Sequence, residues 1–278
     1  MKNPFFKIRS AFTMIELILV MIILGIVSSI GAEIVAKTYE SYIIERANHR
    51  ASIKTELAVL QIANRLRYLI PNTAYRIKND DTLESLNSPM TGSGSDYKGL
   101  QWVSYDGDSF EAVTSDSNRI SGWSGFVDVD NTNTDTSHLK TLGSNLDLAN
   151  DIIQNLSPSG KDISDAYVYF PNSTYYSIAS ASDDTITLSD TGSKTIYEHY
   201  KLAWSSYALV VEDGNLWLYY DFNAAPASDK GETKERLAKN VKTFKFKGAG
   251  NTIRFKLCTT ERISEDYNVT SCKEKAVF

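Results

Sequence analysis

The chain has 278 residues, room for one large domain or two small ones, and a net charge of −5. Lys and Arg are not clustered as a nucleic-acid footprint requires, and the acidic balance disfavours nonspecific binding to DNA. A surplus of Tyr, Ser, Thr, Asn and Asp fits a loop-rich β domain.

Residues 1–11 form a short basic leader carrying Lys2, Lys7 and Arg9 and ending in the small residue Ala11. Taking those three charges off the net −5 leaves −8 for the rest of the chain. From Phe12 to Ala32 the sole ionisable residue is Glu16. As a helix this run covers roughly 31 Å, one hydrocarbon core, so a membrane span over about 12–32 is expected. The leader's charges keep that end cytoplasmic, and Glu33 reads as the far, periplasmic edge. An ordinary secretory signal has a shorter apolar run with its cleavage site after it; here the small residue comes first, and cutting there leaves the span on the mature chain. A carboxylate at membrane depth costs about 2.5–3.5 kcal/mol, so Glu16 needs a compensating role.

No proline lies between Pro4 and Pro71, and the helix is expected to continue past the membrane. Ile43, Ile44, Ala47 and Ala51, then Ile53, Leu57 and Leu60, then Ala63, Leu66 and Ile70 recur at helical spacing, with charged residues between them. Pro71 supplies a stop. A helix from about 12 to 69 would be roughly 85 Å long, with Gly25 and Gly31 allowing close helix packing in its membrane half. The chain thus divides into residues 1–11, a helical segment 12–70 and a β-rich domain 71–278, an α+β fold.

Within that domain, residues 79–99 read as loop and Gln101–Tyr105 and Gly125–Val129 as short strands. Asp130–Ser137 reads as a polar loop and Leu146–Leu156 as a short helix. Ala166–Phe170, Tyr175–Ala179 and Thr185–Leu188 are strand candidates. Tyr207–Glu212 and Asn215–Asp221 flank Asp213-Gly214, a hairpin signal. Val241–Lys247 and Thr252–Thr259 form a second hairpin, in which Ile253, Phe255 and Leu257 alternate with Arg254, Lys256 and Cys258 as in a half-buried strand. The two cysteines, Cys258 and Cys272, fall in the part placed outside the cytosol, where a disulfide closing a loop of about 15 residues would contribute roughly 3 kcal/mol. Two separate buried thiols are the alternative.

The run Ala11-Phe12-Thr13-Met14-Ile15-Glu16-Leu17 resembles the class III signal of type IV pilins and pseudopilins: basic leader, small residue, Phe-Thr, and a carboxylate as fifth residue of the mature chain. The resemblance implies cleavage between Ala11 and Phe12 by a prepilin peptidase, methylation of the new Phe12 amine, and pairing of Glu16 with the Phe12 amine of a neighbouring subunit. Ala11 departs from the Gly common before the cut. More weakly, Arg65–Pro71, the Ala208–Asp221 hairpin and Leu237–Phe244 look like minor pilins of the J/W type. A pilin-like fold follows, with a periplasmic head, and so do the partners: other pilins or pseudopilins through the N-terminal helix, the peptidase, an inner-membrane assembly platform and membrane lipid.

Other chemistry is thin. No His-Glu-x-x-His, Cys-x-x-Cys, Walker, glycine-rich nucleotide or nucleophile-elbow pattern occurs, so no enzyme activity, catalytic residue, metal or cofactor is expected. His49, His138 and His199 read as solvated polar residues. Asp128, Asp130, Asn131, Asn133 and Asp135 carry oxygen ligands suited to Ca²⁺ but lack the central Gly and terminal Glu of an EF-hand; a solvated Asx-rich turn is the expectation. Trp102, Trp123, Trp204 and Trp217 are assigned to core packing ahead of sugar or peptide binding. The expected function is a minor pilin or pseudopilin of a type IV pilus, competence pilus or type II secretion pseudopilus. The alternative is a signal-anchored periplasmic binding or adhesive protein that does not polymerise. The head's ligand stays open, nucleic acid included.

Overall fold

The computed structural model describes residues 13–278, apart from 116, 118, 172–173, 190–191, 250–251 and 265–266. A single long helix, α1 (Met14–Leu66), is followed by a β-rich domain of antiparallel sheets. At 53 residues α1 is about 80 Å long. Thr13 caps its start, the side chain accepting from the Glu16 backbone N–H at 3.4 Å.

The helix ends at Leu66, short of the expected 69–70. Strand pairing stops it before Pro71 can. The Ile70 N–H donates to the Val103 carbonyl at 2.9 Å and Leu69 bridges to Ser104, so these residues are already paired with the sheet.

The strands are β1 (Tyr75–Lys78), β2 (Leu83–Ser85), β3 (Tyr97–Ser104), β4 (His138–Lys140), β5 (Tyr167–Tyr169), β6 (Tyr175–Ser182) and β7 (Thr185–Leu188). After them come β8 (Lys201–Ala203), β9 (Ser205–Glu212), β10 (Asn215–Phe222), β11 (Lys234–Ala238), β12 (Val241–Ala249), β13 (Thr252–Arg262) and β14 (Asn268–Val277). Two short helices, α2 (Gly107–Glu111) and α3 (Leu146–Leu156), lie between β3 and β5. Among the described residues these strands form three sheets, with orders β11-β10-β9-β3-β1-β2, β4-β7-β6-β5-β8 and β12-β13-β14.

The upper half of α1 packs against β13 and β14. Ala58, Val59, Ile62 and Leu66 join Leu100, Trp102, Leu209, Phe255 and Leu257 in one core that draws on both the six- and the three-stranded sheet. The buried face runs Ala47, Ala51, Thr55, Ala58, Ile62, Leu66. The expected continuation through Ile53, Leu57 and Leu60 is wrong: these are 45%, 56% and 37% exposed. Ile53 lies two residues beyond Ala51, about 200° around the helix, and so belongs to another face. Small Ala residues on the docked face let the backbone approach the sheet.

A second core fills the lobe between β3 and β9. There Leu146, Ala149 and Ile153 of α3 pack with Val168, Ile178, Ile186 and Leu202. Asp221, whose side chain is fully buried, ties this lobe to β10. It accepts from Ser157 Oγ and the Ser159 N–H, each at 2.8 Å, with Lys161 Nζ at 3.8 Å.

The Asp213-Gly214 hairpin forms as β9–β10 and the second hairpin as β12–β13. Residues 79–99 are not all loop, since they contain β2 and the start of β3. Gly125–Val129 makes no strand, only a bridge between Phe126 and His199.

Candidate functional site

Ala11 and Phe12, the expected cleavage and methylation site, lie outside the described residues. Glu16 sits in the first turn of α1, where the helix dipole favours an anion. Its carboxyl has no ion-pair partner among the described residues. From Met14 to Val35 every side chain is exposed; Leu17 is 56% and Leu24 65% accessible. Around Gly25 and Gly31 a Cβ would meet nothing within 4 Å. This helix is long and apolar enough to cross a membrane, and its apolar window is buried nowhere against its own chain. The first ion pair follows immediately, Glu33 with Lys37 at 2.7 Å, both exposed. The lower helix is therefore one continuous apolar surface, bounded by charge at Glu33 and interrupted at Glu16.

Nearer the head, α1 is fixed by specific contacts. Lys54 pairs with Glu261 at 2.9 Å and Glu56 with Lys273 at 3.3 Å, one pair to β13 and one to β14. Such exposed pairs contribute little each; the docking rests on the buried Ala face beneath them.

Cys258 and Cys272 are registered opposite each other in the β13–β14 ladder and are joined by a disulfide, Cα–Cα 4.1 Å. The bond links two strands, because residues 268–277 form the ten-residue β14.

The remaining sequence candidates are dispersed. His49 is exposed on α1, His138 Nδ1 lies 3.1 Å from the Asp135 carboxyl, and the His199 ring packs against Phe126, tilted by 55° with centroids 4.5 Å apart. In the 128–135 segment the side chains bond to the loop itself. Asn131 donates to Asp128 at 3.2 Å, Thr134 Oγ1 to the Asp128 carbonyl at 2.6 Å, and Asp135 accepts from the Ser137 and His138 N–H groups. The bonds from the Ser137 N–H and from His138 hold the Asp135 carboxyl below its usual range, against the smaller opposing effect of burial. Among the described residues no group of three His, Cys, Asp or Glu converges to hold a metal ion. Trp102, Trp123 and Trp204 are buried, whereas Trp217 is half-buried beneath Lys234 and Arg236.

Besides Asp221, a second buried acid escaped the sequence reading. Asp106 caps α2 and is 4% exposed. Standing before Gly107, it reads in sequence as an ordinary turn residue, and only the fold reveals that it is buried.

No family model, curated protein or solved structure matches the chain.

Proposed function

We propose that the chain is a non-enzymatic minor pilin or pseudopilin, a subunit that enters a membrane-anchored filament by its N-terminal helix. One observation carries this reading: a lone carboxylate, Glu16, near the start of a helix whose apolar surface from Met14 to Val35 is exposed and has no counterpart in its own chain. Neighbouring copies of such a helix bury that surface in lipid or in one another. A Phe12 amine freed by cleavage supplies the cation that the carboxylate lacks. The head stands on the same rigid rod, docked through Ala47, Ala51 and Ala58, so helix packing sets the position of the head. In this reading the leader end is cytoplasmic, the head periplasmic, and the machine a type IV pilus, a competence pilus or a type II secretion pseudopilus.

Mass spectrometry of the mature N-terminus tests it. The expected product begins at an N-methylated Phe12. An intact leader, or cleavage after the apolar run, returns the chain to a plain signal-anchored periplasmic protein.

A further inference from the structure

The three-stranded sheet has two faces of opposite character. Phe244, Phe255 and Leu257 turn inward to the core shared with α1. Alternating with them, Lys245, Lys247, Arg254 and Lys256 are all exposed on the outer face. The register sets Lys245 directly opposite Lys256 and Lys247 directly opposite Arg254. Like charges facing each other across a ladder destabilise a sheet. Lysines on an edge strand guard it against unwanted pairing, which accounts for the two on β12; Arg254 and Lys256 stand on β13, the central strand. Arg254 reaches Glu274 at 3.5 Å, whereas Lys245, Lys247 and Lys256 pair with no carboxylate among the described residues.

The matching surface belongs to the same chain. Residues 105–204, the lobe between β3 and β9, carry fifteen Asp and Glu against five Lys and Arg, a net charge of −10. Of these acids Asp130, Asp147, Asp151 and Asp183 are exposed. Residues 241–278 carry eight Lys and Arg against four Asp and Glu, a net charge of +4. The two regions do not neutralise each other within one molecule. Among the described residues, the cations of β12–β14 find their ion-pair partners in Glu56 of α1 and Glu274 of β14. The regions are also offset along the helix axis. Lys273 of the sheet pairs with Glu56, whereas the lobe departs at Tyr105, whose N–H donates to the Tyr68 carbonyl at 2.8 Å. Tyr68 lies roughly 18 Å further along the chain's helical path than Glu56.

Other anions fit this face less well. A lipid headgroup is out of reach, because Glu56 lies roughly 35 Å along α1 beyond Glu33, the charge that bounds the apolar surface. A single-stranded nucleic acid uses aromatic platforms beside its cations, and between its charges this face presents Thr243, Ala276 and the disulfide, with no ring among the described residues. A long polyanion would also meet the negative lobe. We propose that the outer face of β12–β13 docks the acidic lobe of a second copy of this chain. Basic face on basic face repels, so the contact is head-to-tail, and a head-to-tail contact propagates. Each copy then offers its lobe to one neighbour and its sheet face to another, displaced along the helix axis by the offset between the two surfaces. This contact deepens the filament reading and rests on it for that staggered array.

The test uses the full chain, unlabelled and nitrogen-15-labelled copies mixed in zwitterionic-detergent micelles, which leave the helices free to shift past one another. A benzophenone amino acid replaces Thr243, an uncharged residue of the same face. Irradiation should join the two isotopic forms, with the crosslinked peptides running from position 243 to residues 105–204. Lys245→Glu with Lys247→Glu sets each new carboxylate opposite a cation of β13, so the sheet is not weakened, while the yield between copies should fall about tenfold or more. Raising the salt to about 1 M, where screening acts within roughly 3 Å, should lower the parent yield likewise. No crosslink between copies, crosslinks confined to other segments, an undiminished yield in the double variant, or retention of a DNA duplex in place of the lobe each overturns the proposal. The mature N-terminus is read separately. An intact leader with the lobe crosslink present removes the filament and keeps this contact; a methylated Phe12 with no crosslink removes this contact alone.

Discussion

Thr55 and Thr259 meet hydroxyl to hydroxyl at 2.7 Å, both buried, where α1 lies on β13. Thr55 Oγ1 also reaches the Ala51 carbonyl at 2.7 Å. That bond uses the Thr55 proton, so Thr259 is the donor across the helix–sheet seam. The pair explains why a threonine occupies the centre of an otherwise Ala-lined face: it is small enough for close approach and polar enough to meet its counterpart.

Thr55→Val leaves the Thr259 hydroxyl buried without a partner, and a loss of about 1–3 kcal/mol is expected. Thr55→Val combined with Thr259→Val removes both hydroxyls at nearly constant shape and should recover much of that loss. Chemical denaturation of the four proteins in a double-mutant cycle measures the coupling. Additive losses would show that the hydroxyls do not interact.

The Cys258–Cys272 bond should leave no thiol free to label under denaturing, non-reducing conditions. Cys272 is exposed, so a reductant reaches the bond in the folded protein, while Cys258 is buried. Reduction reopens a loop of about 15 residues in the unfolded chain and should cost roughly 3 kcal/mol. Denaturation midpoints with and without a phosphine reductant decide. An unchanged midpoint after complete reduction would mean that the β13–β14 ladder is sufficient alone.

Two carboxylates give the head an uneven response to acid. Burial pushes Asp106 up to about 6, Asp108's like charge adding to it and Ser109 opposing. A raised acid binds more protons folded than unfolded, so its contribution to stability falls as pH rises from about 4 to 6 and then levels off. The shift corresponds to something of order 3 kcal/mol. Glu84 has the opposite sign. It accepts from Thr91, Tyr97 and Arg76 and, although burial opposes them, these bonds pull it down to about 2. Its stabilisation is present above its usual value near 4.5 and lost as pH falls toward 2. Asp106→Asn should match the parent near pH 4 and exceed it at pH 7, while Glu84→Gln should lose stability at pH 7 and converge on the parent near pH 2. Urea midpoints across pH 2–7 check both. Parallel profiles for Asp106→Asn and the parent would overturn the first assignment.

The elements that could be read from sequence had strong local chemistry. Asp213 and Gly214 both take positive φ, +49° and +70°, as the tight β9–β10 turn demands, and Leu146–Leu156 is a helix with the bounds its apolar spacing sets. The long helix follows from an uncharged run and a proline-free stretch. What could not be read depends on partners distant in sequence. The strand β11 contains Lys234-Glu235-Arg236 and β14 contains Lys273-Glu274-Lys275, charged runs with no apolar alternation, tolerable because both strands lie at sheet edges. The helix carries two apolar series, and only the position of β13 and β14 decides that Ala51 and Ala58 are docked while Leu57 is not.

Glu16→Ala tests the proposed assembly directly. Removing the carboxylate makes the helix more apolar, so membrane insertion should be unchanged or improved, the saving being about 2.5–3.5 kcal/mol on insertion scales. The fold of the head should be untouched, because Glu16 contacts nothing in the domain and the docked face begins at Ala47. The Thr13 cap is made to the Glu16 backbone N–H, which alanine retains. In the proposed filament, what disappears is the one charge in the span able to pair with the amine of a neighbouring subunit. An amine left in lipid without its carboxylate costs about 3–5 kcal/mol, enough to cut incorporation by a hundredfold or more. Crosslinking between copies or to other pilin-like subunits, with membrane fractionation run alongside, separates the two effects. Normal fractionation with lost crosslinks is the expected outcome; normal crosslinking in Glu16→Ala would reduce Glu16 to an interfacial residue and the chain to an anchored protein.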